Sequence, residues 1–395
     1  MRAALPPDLA GLPADRLGAA WPAWVRERDR AVRERLGRGE QDTVVNLLLF
    51  GTSFTSAPRL TADALVRLGQ VGSEAALERR VDDLAAALAK PGGDERLALA
   101  RAALGVPAAS AASAAPPGRR AAELSLFQAV ARVQKERAAL TGELSRIRAL
   151  PDATDQLAAR STLFRERGIS LDTSLRPAFA IDEALREALE RGILARGGVR
   201  RVAVVGPGLD FVDKAEGQDF YPPQSLQCLA LADSLVRLGV SSPDTLSITA
   251  LDISARVLDH LSRARQRARA GEGYPLQLPR PRDGWGAALV GYWERFGDNV
   301  STAAEAVKPP PSAGDVVVRA VRVRAPVVAS IEPRDLNVVY QRLDLPEAGR
   351  FDLVVATNIL VYYDTFEQAL ALANVASMTA VGGLLLANNA VLELP

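Results

Sequence analysis

The sequence predicts an α/β protein built on a doubly wound parallel sheet, preceded by a helical N-terminal domain. Three observations predict it. Short, almost wholly apolar, β-branched runs recur in the second half of the chain, the pattern of strands buried on both faces. Each alternates with a stretch of helical periodicity, the rhythm of strand–helix–strand units. Glycines or polar residues stand where those runs end, the edge at which open α/β sheets bind ligands.

Composition narrows the classes. The chain has 395 residues, 48% apolar and 24% charged, enough for two or three ordinary globular domains. A formal net charge of +1 supplies no global field for nucleic acid or an anionic membrane, and neither is expected as a partner. The single cysteine, Cys228, excludes an internal disulfide. With His260 the only histidine, a His/Cys metal site or a Ser-His-Asp triad lacks material, and no metal is expected. His260 lies in a helix-like segment and reads as structural. No apolar run reaches bilayer length, and Met1-Arg-Ala-Ala-Leu-Pro-Pro lacks the apolar stretch of a signal peptide. A cytoplasmic location is the expectation.

Residues 1–165 read as helical. Trp21, Trp24, Val25, Val32 and Leu36 recur near helical spacing, and 43–54 is an apolar stretch that suits a buried helix or a packed loop. Short helices are expected over 60–68, 73–88 and 94–104. An Ala/Ser/Pro tract over 105–120 reads as a linker. One long amphipathic helix, 123–150, carries Leu124, Phe127, Leu140, Leu144 and Ile147, and Pro151 stops it.

The α/β domain is expected over 166–395. A helix over 181–194 leads into a strand over 202–205, followed at once by Gly206 and Gly208. Glycines there let the backbone turn sharply and approach a ligand. A helix over 226–238 precedes a second strand, 246–251, which ends in Asp252. The next helix bears Arg256, Arg263, Arg265, Arg267 and Arg269, expected to form a solvated face. Residues 271–333 are too long for a plain connection. They read as an insertion holding Tyr274, Trp285, Tyr292, Trp293 and Phe296, which form either a substrate lid or the packing of the insertion onto the sheet. A third strand is expected over 337–341, a fourth over Phe351–Ala356, a helix over Thr365–Met378 and a fifth strand over 384–387. Gly206, Asp252, Asp344 and Asn358 then fall at carboxyl ends of strands.

The ligand follows from what is missing. The dinucleotide pattern G-x-G-x-x-G needs a glycine where Phe211 stands, which opposes a nicotinamide-dependent oxidoreductase. No phosphate-cradling G-x-x-x-x-G-K-[ST] loop occurs. Asp252 at the tip of the second strand is placed for ribose hydroxyls, so an adenosine ligand without phosphates is favoured, and S-adenosylmethionine is the common one.

The order Gly-Pro-Gly, Ala-Leu-Asp-Ile, Leu-Asp-Leu, Phe-Asp-Leu-Val-Val-Ala-Thr-Asn-Ile-Leu-Val-Tyr-Tyr-Asp and Gly-Gly resembles the Rossmann-like class I S-adenosylmethionine-dependent methyltransferases over 199–391. The Asn358–Asp364 signature and the long insertion look most like the chemotaxis receptor methyltransferases, which esterify protein glutamates. The resemblance implies that Gly206 and Gly208 face the methionine end of the cofactor, that Asp252 and Ile253 hold the ribose side, and that Asp344 and Leu345 meet the adenine; Asp210 is counted with the cofactor-binding residues. It places Asn358 by the methyl group and Tyr362 as the active-site tyrosine. Phe164-Arg165-Glu166 resembles a motif that supplies a catalytic arginine, here Arg165, although further upstream than that family has it. Two features depart from the family: Leu209-Asp-Phe-Val-Asp-Lys214 replaces its acidic run, and Thr357 replaces its arginine. Such sheets usually finish with an antiparallel hairpin, so a chain ending at Pro395 is expected to have a short sheet or to be truncated.

Methyl transfer is an in-line displacement in which alignment dominates. A carboxylate or thiolate acceptor needs no base, whereas an amine or hydroxyl does. The near-absence of histidine therefore favours a ready nucleophile, on a small molecule or a protein side chain, or else Tyr362, Asp210 or Asp213 as base. A non-catalytic S-adenosylmethionine-binding protein of the same fold is the alternative.

Overall fold

The computed structural model describes residues 5–60, 74–106, 118–149, 173–212 and 218–387. Its N-terminal part is helical: α1 (Ala14–Phe50), α2 (Glu74–Ala89), α3 (Glu95–Ala103) and α4 (Arg119–Arg148). The apolar stretch at the end of α1 is helix as far as Phe50, and Leu47, Leu48, Leu49 and Phe50 are all buried. On α2, Val81, Leu84, Ala85 and Leu88 recur at helical spacing and form one buried face. That face meets Leu97 of α3 and Leu126 of α4 in a single core. Asp94 caps α3 by accepting from the N–H groups of Arg96 and Leu97. The helix expected over 60–68 lies almost wholly outside the described residues, as do 107–117 of the Ala/Ser/Pro tract and Arg165.

The second half runs α5 (Leu175–Glu190), β1 (Arg201–Val205), α6 (Gln227–Arg237), β2 (Ser247–Asp252), α7 (Ala255–Arg269), β3 (Tyr274–Pro281), α8 (Ala287–Arg295), β4 (Ser301–Ala303), β5 (Val316–Val323), β6 (Ile331–Asp335), β7 (Phe351–Ala356), α9 (Thr365–Met378) and β8 (Thr379–Ala387). Five strands form a parallel sheet in the order β6-β2-β1-β7-β8. Strand side chains alternate between faces. Val202 and Val204 accordingly pack with α5, α6 and α7, while Ala203 and Val205 pack with α9 and with Val32 and Leu36 of α1. Helices therefore cover both faces. Among the described residues, no helix is long and apolar enough to cross a membrane.

The insertion is a small antiparallel sheet, β3-β5-β4, with α8 beside it. Tyr274, Tyr292, Trp293 and Phe296 are buried in the core shared with β1 and β2. Of the two roles open to these aromatics, packing applies to those four; Trp285 is partly exposed.

The third strand of the sheet differs from the sequence reading. It is Ile331–Asp335, not 337–341. Pro333 argues against a central strand, but β6 is an edge strand, where a missing N–H is tolerated. The Val338-Val339-Tyr340 run instead forms a turn, at whose start the Asn337 side chain accepts from the Val339 N–H at 3.2 Å. The placement of Asp344 and Leu345 changes with it. Leu343 N–H lies 3.2 Å from Sδ of Met378, the last residue of α9 just before β8, and residues 347–349 lead into β7. Asp344 and Leu345 are thus at the amino ends of the strands, opposite the edge they were assigned to, and Asp344 is exposed.

Candidate functional site at the carboxyl ends of the strands

The turn after β1 is set by two left-handed glycines, Gly206 at φ 65° and Gly208 at φ 64°. Gly206 N–H donates to Leu251 O at 2.8 Å, tying the turn to β2. A Cβ on Gly206 would stand 2.2 Å from Ile359 Cδ1, so the glycine also admits the chain that follows β7.

Asp252 ends β2 and is only 5% exposed. Its Oδ1 accepts from the Ser254 N–H at 2.8 Å, and the Ile253 and Gly208 amides lie near enough to favour its charge. Burial pushes its carboxyl up to about 6 despite those three amides. Asp252 therefore stands beside the glycine turn, with the Gly208 amide acting on its charge. Beneath it, burial and the Asp252 charge push the Cys228 thiol up to about 12, which leaves the thiol inert.

After β7, Thr357 Oγ1 accepts from Gln227 Nε2 at 2.6 Å, joining the strand end to the start of α6. Asn358 has φ 57° and is the one described non-glycine residue in the left-handed region, where asparagine is among the least strained residues. Tyr363 is buried beneath the Arg35 guanidinium, 5.9 Å from the ring centre, while Tyr362 is half-buried. Asp364 and Glu367 then cap α9 reciprocally.

Asp210 is buried in a cleft between the first loop, β3 and the start of α5, with Tyr221, Gln224, Leu226 and Trp285 among its walls. Its Oδ2 accepts from Tyr221 Oη at 2.7 Å and from Gln224 Nε2 at 3.0 Å. Burial, then the Asp210 charge, hold the Tyr221 phenol well above its ordinary value, so it stays a neutral donor. Gln224 also grips β3, donating to Gln277 O at 2.7 Å and accepting from Gln277 N–H at 2.9 Å.

The helical part holds this loop through residues the sequence reading passed over. Arg96, buried on α3, donates to Phe211 O at 2.7 Å, to Asp210 O at 3.0 Å and to Tyr221 O. Asp219 collects the N–H and hydroxyl groups of Thr52 and Ser53. Gly51 makes room for this contact, since a Cβ there would lie 2.5 Å from Leu47 O and 2.9 Å from Asp219 Oδ2. An arginine in a polar-looking helix carries no mark of burial in sequence. The Gly51-Thr-Ser break after an apolar run was the one available signal.

His260 Nε2 lies 2.6 Å from Tyr274 Oη, which also accepts from Ser225 N–H at 2.9 Å. Tyr274 therefore donates to a neutral imidazole, and burial pushes His260 down to about 4. Its role is structural.

The sheet thus brings Gly206, Gly208, Asp252, Ile253 and Asn358 to one rim. Asp335, the register partner of Asp252 on β6, joins them. Asp344 and Leu345 do not; Asp213 and Arg165 lie outside the described residues. For an adenosine ligand, the left-handed turn and the acidic strand tips are a fitting donor and acceptor set. The space beside them holds the side chains of Ile359 and of Arg33 from α1.

The chain matches no protein-family model, and no curated protein matches it. Among solved structures it is similar to a crystal structure of selenomethionine-substituted CurJ carbon methyltransferase. Identity is 15%, coverage is 95% of this chain and 78% of that one, and the TM-score is 0.24. At that score the likeness assigns no chemistry to this chain.

Proposed function

We propose that the chain is a Rossmann-like, class I S-adenosylmethionine-dependent methyltransferase. The observation that supports it most is the convergence, at the carboxyl rim of a parallel sheet, of the Gly206–Gly208 turn, Asp252 and the left-handed Asn358. Ligands of such sheets bind at this rim. Bound there, S-adenosylmethionine would supply an electrophilic methyl group. Gly206 and Gly208 would shape the turn against its amino-acid end, with Asp252 accepting from the ribose hydroxyls and Ile253 lining the ribose side. Asp335 takes the place that Asp344 was expected to fill. Asn358 and Tyr362 flank the mouth. Asp210, oriented by Tyr221 and Gln224, is the carboxylate that would orient an acceptor or take its proton, with Trp285 as a wall. A ready nucleophile such as a carboxylate needs only the positioning.

A second reading, a non-catalytic S-adenosylmethionine-binding protein, is favoured by one observation: α1 lies across the same rim. Calorimetry tests the cofactor. S-adenosylmethionine should bind, and Asp252→Ala should weaken it by about tenfold to a hundredfold, the worth of a charged hydrogen bond of about 1.5–3 kcal/mol. Binding of NAD in its stead would overturn the reading. Binding without turnover on carboxylate, amine or hydroxyl acceptors selects the second.

A further inference from the structure

α1 crosses the loops that follow three of the sheet's strands. Arg33 lies at the crossing. Its guanidinium forms a fork on Asp335, at 2.7 Å to Oδ1 and 3.2 Å to Oδ2, and lies 3.4 Å from Ile253 O. Asp29, one turn earlier, accepts from Arg33 Nε at 3.1 Å and from Asn337 Nδ2 at 2.7 Å. Arg35 donates to Tyr362 O at 2.7 Å. Ile253, Asp335 and Tyr362 follow or end β2, β6 and β7, so these contacts span the crevice where a doubly wound sheet takes its ligand.

The hold on this stretch of α1 differs in kind from the hold on its far end. Leu47 to Phe50 are sealed in the helical core. Around Arg33 the helix is held by Trp24 against Tyr340 and Phe366, by Val32 and Leu36, and by ion pairs open to water. The Arg33 side chain is 31% exposed and that of Asp335 is 55%. Such a pair is weak and sensitive to salt.

We infer that Arg33 is a gate on the crevice: its guanidinium takes the Ile253 carbonyl and the Asp335 carboxylate, the groups that an adenosine ligand would meet, and must swing away before that ligand enters. This rests on the proposed function for the nature of the ligand, but not for the existence of the gate. A closed population lowers apparent affinity by the open fraction. Opening it should therefore tighten binding without any new contact.

The test uses the full chain and 5′-methylthioadenosine, an uncharged probe that long-range repulsion from Arg33 does not affect. Arg33→Ala should bind it about two- to fivefold more tightly, matching an exposed pair. Raising NaCl from about 50 mM to about 500 mM should tighten the native protein by a similar factor and leave Arg33→Ala unchanged, since screening weakens only the latch. Without ligand, Arg33→Ala and Asp335→Asn should both speed amide exchange over residues 335–341. Weaker binding by Arg33→Ala would make Arg33 a ligand contact and overturn the gate. If neither protein binds the probe, the cofactor reading fails and exchange alone decides: faster exchange in both variants keeps the latch, and unchanged exchange removes it.

Discussion

Replacing Asp219 with asparagine changes one atom at the junction of the helical part and the first loop, and its cost can be worked from four distances. Asp219 is 2% exposed. Its Oδ1 accepts from Thr52 N–H at 2.7 Å and Thr52 Oγ1 at 2.6 Å, and its Oδ2 from Ser53 N–H at 3.0 Å and Ser53 Oγ at 2.7 Å. In asparagine one of those oxygens becomes an NH2 group. The facing hydroxyl can rotate and accept from it, but the facing backbone N–H cannot. One part-buried N–H loses its acceptor at about 1–3 kcal/mol, and the bonds that remain lose their ionic strengthening. The amide would turn its NH2 toward Ser53, the more open side, which keeps the total near 2–3 kcal/mol. Urea unfolding followed by circular dichroism should show that loss with an unchanged slope. A loss under about 1 kcal/mol would refute the reasoning, because it would mean the carboxylate does not bind both amides at once.

Two further outcomes are expected. Gly206→Ala should cost about 1–2 kcal/mol for left-handed backbone plus the contact with Ile359 Cδ1; adding Ile359→Val should recover the contact part alone, read as a positive coupling in a double-mutant cycle. His260 is pushed down to about 4 from 6.5, so its burial favours folding above pH 6.5 and that benefit is lost as pH falls through 4. His260→Gln, which can still accept from Tyr274, should lose about 2 kcal/mol less stability than the native protein between pH 7 and pH 4.5. Asp233 and Asp252, both raised to about 6, oppose this trend equally in both proteins, so urea midpoints at the two pH values isolate the histidine. Parallel pH curves would refute it.

The elements most legible in the sequence were those whose burial is written in a single residue property. Phe351–Ala356 and Thr365–Met378 have the bounds their apolar runs and capping residues predict. β1 and β2 begin or end within a residue of expectation. β6 was not legible, because Ile331-Glu-Pro-Arg-Asp has one buried residue and a proline; only its place at the sheet edge makes it a strand. The neighbouring valines then drew the assignment to 337–341, and with it Asp344. At the rim, the glycine turn and Asp252 were readable from spacing. Asp335, Arg33, Arg96 and Asp219 were not, since each acts through a partner distant in the chain, and an arginine that pairs across the fold looks in sequence like any surface one. The register slip also moves Asp344-Leu345, a pair that carried part of the resemblance to chemotaxis receptor methyltransferases, to the wrong end of the sheet.

The Arg96 contacts bear on the order in which the protein can be made. Its three close acceptors, Asp210, Phe211 and Tyr221, come 114, 115 and 125 residues later in the chain. A ribosome adding about 5–20 residues per second would leave that guanidinium without its carbonyls for several seconds. Asp219 reaches Thr52 across 167 residues, a longer interval still. During that time the helices can pack on one another, but the junction around Arg96 stays wet and the seat of Phe211 and Val212 on the helical core stays open. The nascent chain is then most vulnerable to aggregation and to proteases just before residue 221 emerges, and a pause in translation upstream of that point would lengthen the exposure.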